Sequence, residues 1–499
     1  MRDLGRKVIR GGLLLNISSH SAHPQDLIVE NDTIAEIGPP GLAAPDDAQA
    51  IDAAGRLLMP GLVNAHTHGH GNLMKGAGDR WTLEALLNAG PHLNGERVLE
   101  DKYLTCLLGG LDMIRAGATA CYDLFYEFPV PSLDGLAAAA RGYRDAGLRV
   151  VLAPMIADRS FYEAIPGLLE AMPTDTCGML QKFRQAPGAE TLNVVERIVS
   201  NWSFATTEAR LALAPTIPLH CSDDFILACR DIARDAGLGL HLHLAESKPQ
   251  AVAGIRRYGK TLTAHLEELN FLGPSLTVAH SVWLDDTDIK RLADHGTSVA
   301  HNPGSNLRLG SGVAPVRRMR DRGLVVGIGT DGAHCADNQN MFEAMRLASF
   351  VSRIRSVDAE KWLATEEVLT MATAGSARAL GLGDHIGTLA PGFKADIVFL
   401  DLAHPNFLPF NDPTNQIVHT ENGGAVDSVM VGGRLVLHGG RFQTVDLDVI
   451  RQKVTARAGE LREGNRERRE LLQQIEGIVG RFCVGLAREP YPVHSLVGE

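Results

Sequence analysis

Eight short apolar runs separated by stretches of helical periodicity constrain this chain more than any other feature of its sequence. They extend from Leu58 to His66, Ala118 to Leu124, Arg149 to Pro154, Leu211 to Pro215, Gly239 to Leu244, Leu276 to His280, Ser298 to His301 and Val325 to Asp331. Such alternation is the mark of repeated βα units and a parallel sheet, and eight strands of this kind close a barrel. The expected class is α/β, a (β/α)₈ TIM barrel. Connections of 25 to 60 residues between several runs are long for βα units, so extra loops and helices should crown the barrel. The stretch 156–197, with its prolines and scattered Met and Phe, reads as such an insertion and a candidate lid.

The flanks read differently. Val8 to Leu15, Gln25 to Glu30 and Thr33 to Ile37 are strand-like and turn-separated, and a matching set returns at Ala395 to Leu402 and Val426 to Leu437, where Val431-Gly-Gly-Arg marks a two-residue hairpin. Short hairpins cannot bury themselves, so the two ends are expected to close one small β-sandwich domain, 1–57 plus 396–445, around a catalytic barrel of 58–395. The remainder, 446–499, is dense in Glu and Arg at helical spacing and reads as a solvated helical tail without evident chemistry.

A chain of 499 residues with 45% apolar residues, 21% charged residues and 52 glycines has the makings of a compact enzyme. Net charge is −11 and acidic residues are not concentrated in one block, which removes the electrostatic basis for binding nucleic acid or an anionic membrane and favours a small neutral or cationic substrate. Seven cysteines are scattered without CxxC pairs, so they are expected to be reduced and the protein cytoplasmic. The first residues lack the apolar core of a secretory leader, and no run of about 18 apolar residues suggests a membrane span.

The chemistry lies where the runs end. His66, His68, His243, His280, His301 and Asp331 all fall at or just past the C-terminal end of an apolar strand, the end at which barrel active sites are built. His66 and His68, two apart on one strand, share a face. With His243 and Asp331 they make a nitrogen and oxygen shell suited to zinc or iron(II), with a position left for a water that ionises near neutral pH. A lone histidine at a strand end reads as a hydrogen-bonded core residue; four candidate ligands converging from three strands do not.

The motifs Pro60-Gly-Leu-Val-Asn-Ala-His-Thr-His68, His243-Leu-Ala-Glu246, Val278-Ala-His280, His301-Asn-Pro-Gly-Ser-Asn306 and Gly329-Thr-Asp331-Gly together resemble the amidohydrolase superfamily. Within it they are similar to the branch of cytosine, guanine and S-adenosylhomocysteine deaminases and triazine hydrolases, over roughly residues 5 to 445. The resemblance implies one divalent metal per subunit, zinc with iron(II) and manganese as alternatives, on His66, His68, His243 and Asp331. It further implies Glu246 as the proton shuttle to the leaving nitrogen, His280 as the group that holds the attacked centre or the water, and Asp331 as acceptor of the water's proton. Relatives with two metals use a lysine on the fourth strand, which here ends in Ala214-Pro-Thr216. The resemblance also implies a homo-oligomer, a dimer or larger.

Candidate substrate contacts are His70, Arg80, Trp81, Thr216, His301, Asn302 and His334, with Arg80 and Trp81 placed to clamp or stack on a planar ring. Thr216 stands where nucleoside deaminases of this branch carry a histidine, and His334-Cys335 is unusual for the branch. His241 shares the facing of His243 but lies deeper, as a buried structural residue. The function implied is hydrolysis of a carbon–nitrogen bond, foremost deamination of an amino-substituted purine, pterin, pyrimidine or triazine. The alternative is cleavage of an amide, urea or carbamate, or displacement of a triazine substituent.

Overall fold

The computed structural model describes residues 5–95 and 97–495, without the side chains at 175, 177 and 179. Eight strands run parallel in chain order: β6 (Leu62–Thr67), β7 (Ala118–Tyr126), β8 (Arg149–Ile156), β9 (Ala209–Pro215), β10 (Gly239–Leu244), β11 (Leu276–His280), β12 (Ser298–His301) and β13 (Val326–Ile328). Nearly every residue in them is buried, as expected of parallel strands covered on both faces. Along most of the barrel, small residues such as Ala120, Ala153, Ala212 and Ala300 gather with Val63, Ala65 and Tyr122 in the lumen. The alternate residues, such as Leu152, Leu211, Leu242 and Val278, pack outward on the helices.

The seam between β13 and β6 is joined just past the strand ends. Asp331 N–H donates to the His66 carbonyl at 3.0 Å, and the Asn64 amide holds Thr330 through its N–H (3.1 Å) and its hydroxyl (2.7 Å).

The flanking strands are β1 (Arg6–Asn16), β2 (Ser21–Glu30), β3 (Thr33–Gly38), β4 (Gln49–Asp52), β5 (Arg56–Pro60), β14 (Ile397–Asp401), β15 (Val426–Val431), β16 (Arg434–His438) and β17 (Arg441–Phe442). They form one continuous mixed sheet in the order β17-β16-β15-β14-β5-β1-β2-β3, with β4 beside β1. The expected sandwich is thus a single sheet gathered around its own core of Ile9, Leu27, Val29, Ile34, Leu58, Ile397, Phe399 and Met430. The hairpin Val431 to Arg434 has both glycines at positive φ, 53° and 73°, as a two-residue turn of this hand requires.

Two expected barrel strands are revised. The run from Leu58 to His66 is two strands, β5 in the outer sheet and β6 in the barrel, and they meet at Gly61. A Cβ there would lie 2.2 Å from Thr119 Oγ1, so only glycine lets the chain change sheets against β7. The run from Val325 to Asp331 holds only three strand residues, and Gly329 to Asp331 already belong to the loop over the site. The tail forms two helices, Leu447–Gly464 and Arg466–Ala487. The second buries Leu472, Ile475, Val479, Cys483 and Leu486 at helical spacing against the helices Leu83–Leu93 and Lys248–Tyr258.

Candidate active site

Four local departures from regular backbone bring the polar side chains together. On β6, Asn64 pairs with Cys121 while Thr67 pairs with Asp123, three steps against two, so a bulge falls between them. Val63 and Ala65 sit with the lumen cluster. Without the bulge, simple alternation would send His66 and His68 outward with Asn64; with it, both imidazoles turn inward. His280 ends β11 with φ of 67°, and Asp331 follows β13 with φ of 62°. Ala245, between His243 and Glu246, has φ of 47°. Non-glycine residues rarely adopt this left-handed backbone, which costs on the order of 1–3 kcal/mol each and concentrates at functional sites.

His243 needs no such device, because on β10 it alternates regularly inward while Leu242 and Leu244 face the helices. Glu246 immediately precedes Ser247, the N-cap of the helix Lys248–Tyr258, and its N–H donates to Gln250 Oε1 at 3.0 Å. The helix start therefore aims this carboxyl back over the barrel mouth.

The ligand-type atoms of His66, His68 and Asp331 lie within 4.8 Å of one another, as do those of His66, His243 and His280. His68 Nε2 stands 3.1 Å from His243 Nε2 and 3.3 Å from Asp331 Oδ1, and His66 Nε2 lies 3.6 Å from the same oxygen. Backbone places the other nitrogen of two of these imidazoles: His68 Nδ1 donates to the Leu124 carbonyl (2.8 Å) and His243 Nδ1 to the Thr216 carbonyl (2.7 Å). This leaves both Nε2 lone pairs facing the centre, the arrangement found behind metal-bound imidazoles. His66 is fully buried with no hydrogen-bond partner on either nitrogen. A divalent cation fits this donor set, since it would satisfy the orphaned imidazole and offset like dipoles crowded at van der Waals distance.

Burial, then the neighbouring imidazoles, holds His66 and His243 well below the ordinary histidine range, so both are neutral and able to ligate. Burial pushes Asp331 up, but His68 and His280 outweigh it and leave the carboxyl at about 2. Glu246 is driven well above the carboxylate range by burial, reinforced by Asp331 and Glu84. His280 is buried, its Nδ1 2.9 Å from Asn306 Oδ1 and its Nε2 3.3 Å from Asn302 Nδ2. That Nε2 also lies 3.6 Å from Glu246 Oε2 and 3.8 Å from Asp331 Oδ2.

Of the expected substrate contacts, His70, Thr216 and His334 line the cleft above this centre, which holds about 140 Å³ of free space. His70 Nδ1 accepts from Tyr126 N–H at 3.1 Å. The His334 ring stands 5.4 Å from that of His70, over two glycines; a Cβ at Gly71 would fall 1.8 Å from its Nδ1. Asn302 lies beneath His280 and acts on it alone. Arg80 is placed differently from the expectation: its side chain is 96% exposed and outside the cleft lining, because its loop points to solvent. Trp81 is also outside the lining and packs behind it, with Leu83, Leu86, Leu309 and Cys335. His301 is buried and lines a separate cavity with Val316, Arg318 and Arg355. His241 sits in the lumen with its ring 4.4 Å from Tyr122, as a structural residue would.

Sequence reasoning missed the support of Asp331. Gln339 Oε1 takes the hydroxyls of Thr67 (2.9 Å) and Thr330 (2.8 Å), and its Nε2 donates to the Asp331 carbonyl (2.9 Å). It also missed the cleft wall made by the helix Leu83–Leu93, although the spacing of Leu83, Leu86 and Leu87 carried that signal.

A sequence model of the amidohydrolase family matches residues 57–436. The chain belongs to the amidohydrolase family. It is 33% identical over 442 residues to a 5'-deoxyadenosine deaminase of Methanothermobacter thermautotrophicus, an alignment covering 87% of this chain and 94% of that one. Among solved structures, a zinc-bound adenosine deaminase from Xanthomonas campestris superimposes with a TM-score of 0.80 at 26% identity, over 92% of this amidohydrolase and 98% of the other chain. A triazine hydrolase from Arthobacter aurescens does so with a TM-score of 0.82 at 25% identity, over 91% and 99%. This amidohydrolase is therefore a metal-dependent hydrolase of carbon–nitrogen bonds. Among the described residues no helix is long and apolar enough to cross a membrane.

Proposed function

We propose that this amidohydrolase removes the exocyclic amino group of a nitrogen heterocycle by hydrolysis, using one divalent ion, zinc in preference to iron(II) or manganese. The ion would be held by His66, His68, His243 and Asp331, and when bound it supplies the Lewis acidity that makes water a nucleophile near neutral pH. The observation that carries the reading is the convergence of three further functions on one point: His280 Nε2 lies 3.6 Å from the Glu246 carboxyl and 3.8 Å from Asp331.

In this reading Asp331 accepts the proton of the attacking water, whose oxygen bonds to the amino-bearing ring carbon. Glu246 gives a proton to nitrogen, which is what an amine needs to leave, and ammonia departs as the carbon–nitrogen bond breaks. Glu246 is fit for that role because a buried carboxyl retains its proton. His280, fixed by Asn306 and Asn302, holds the attacked centre in place. His70, Thr216 and His334 would contact the ring. The kinship with deaminases of adenosine-type substrates supports this reading. The test is ammonia release from a panel of amino-purines, pterins, pyrimidines and triazines by metal-loaded enzyme; release from none of them rejects it.

A second reading, displacement of a triazine substituent, is favoured by the likeness to a triazine hydrolase and by Thr216 in place of histidine. Mass spectrometry of the products separates it from ammonia release. The same proposal takes the enzyme as cytoplasmic, in keeping with six described cysteines that are buried and unbridged, Cys177 lying outside the described side chains. It also takes the enzyme as a homo-oligomer, to be read by light scattering.

A further inference from the structure

Away from the polar floor, the cleft changes character. The helix Leu83–Leu93 presents Leu83, Leu86, Leu87 and Pro91 on one side, and Phe161 and Phe183 from the 156–197 insertion face the same space. Among the described residues lining the cleft there is no lysine or arginine, and the only carboxyls are Glu246 and Asp331 on the floor.

Several neutral polar groups of the wall are already engaged. Gln185 Nε2 donates to the Tyr126 hydroxyl at 3.0 Å, and Asn94 Nδ2 donates to the Gly90 carbonyl at 3.2 Å. His70 commits Nδ1 as an acceptor from Tyr126 N–H. His220, the wall histidine farthest in sequence from the ligands, is held at about 3 by burial and by Arg257, so it offers no cation.

We infer that the cleft selects a heterocycle carrying an uncharged, largely apolar substituent, and rejects the same ring bearing a carboxylate, phosphate or ammonium tail. This rests on the deamination reading, which puts the amino group at Glu246 and His280 and so directs the opposite edge of the ring at the apolar walls. A charged tail there would lose its hydration without gaining an opposite charge on the walls, whereas an alkyl, alkylthio or aryl tail gains by leaving water. The discrimination is therefore set mainly by what the walls lack.

The experiment compares three derivatives of one amino-substituted ring, prepared both as 6-aminopurine and as amino-triazine: a benzylthio tail, a carboxyalkyl tail and an aminoalkyl tail of similar length. Binding to the metal-loaded full chain is measured by calorimetry, and turnover by ammonia release. The benzylthio ring should bind at least about 100-fold more tightly than either charged ring, an effect in line with burying an unpaired charge. In Leu87→Arg, which places a cation on the half-buried part of the wall, the carboxyalkyl ring should bind about 10-fold more tightly than it does to wild type.

Charged and apolar rings that bind within threefold of each other overturn the inference, as does a Leu87→Arg protein that folds and gains nothing for the carboxylate. Absence of ammonia from every ring, with the binding preference intact, rejects the deamination chemistry instead and leaves the wall's selectivity standing.

Discussion

Gln339 ties the Asp331 carbonyl to Thr67 and Thr330, and replacing it by alanine tests what positions Asp331. The side chain is 1% exposed. Its loss takes one of two acceptors from each of the hydroxyls of Thr67 and Thr330, and one donor from the Asp331 carbonyl. The Asn64 amide still supports Thr330, and Thr67 Oγ1 still lies 3.1 Å from the Asp331 carbonyl, so the damage is partial. Each hydrogen bond contributes about 1 kcal/mol net, and leaving buried groups unpaired raises the total to about 3 kcal/mol. At about 2 cal/mol/K of unfolding entropy per residue, a barrel of this size would lose about 4 °C in Tm. The larger effect falls on the metal. Asp331 keeps its left-handed backbone only because the surrounding bonds impose it, and removal of such support typically costs 10- to 100-fold in metal affinity. Competition with a chelator reads that affinity directly, and differential scanning calorimetry reads the stability. A Gln339→Ala protein that melts lower but holds zinc as tightly as wild type would show that Asp331 is positioned by something else.

Further outcomes follow from the same geometry. Asp331→Ala and His66→Ala should lose metal and activity together, whereas Glu246→Gln should retain stoichiometric metal and lose turnover; elemental analysis alongside an ammonia assay distinguishes the two. Ile475→Ala, in a tail helix that touches no reacting group, should cost about 3 kcal/mol of stability and raise KM with little change in kcat, because that helix backs the cleft wall Leu83–Leu93. Burial opposes a charge on His20, but bonds to Asp412 (3.1 Å) and Glu366 (3.0 Å) prevail and raise it. The stabilisation from this pair is full below the unfolded histidine pKa and is lost as pH rises through the folded one. His20→Gln should therefore destabilise the protein at pH 6 and have a smaller effect at pH 9, as thermal melts at the two values will show.

The barrel was legible because its strands obey one rule throughout: buried on both faces and separated by helices, they leave a run of apolar residues whose count gives the fold. The outer sheet was legible in its strands but not in its partition from the barrel, since Leu58 to His66 is apolar without a break and only the steric demand of Thr119 on Gly61 divides it. The cleft walls were less legible still. Arg80 and Trp81 looked like ring contacts by type and nearness to the first strand, but the direction of their loop depends on packing against Leu309 and Cys335, more than two hundred residues away in the chain.

The candidate metal centre presents the opposite case, for the residues that the structure brings together stand in short motifs while the reason they meet does not. Periodicity says that His66 and His68 share a face; it cannot say which face, and continued from Val63 and Ala65 it gives the wrong one. The bulge that reverses them, and the left-handed turns at His280 and Asp331, are backbone states that their own residue types disfavour. Such states are held by long-range bonds, among them Asn64 to Thr330, Gln339 to Asp331 and Asn306 to His280. A site built this way has its candidate ligands written in short motifs and its geometry distributed over residues that carry no chemistry of their own. Substitutions at Asn64, Asn306 and Gln339 should therefore impair the centre more than their chemical neutrality suggests.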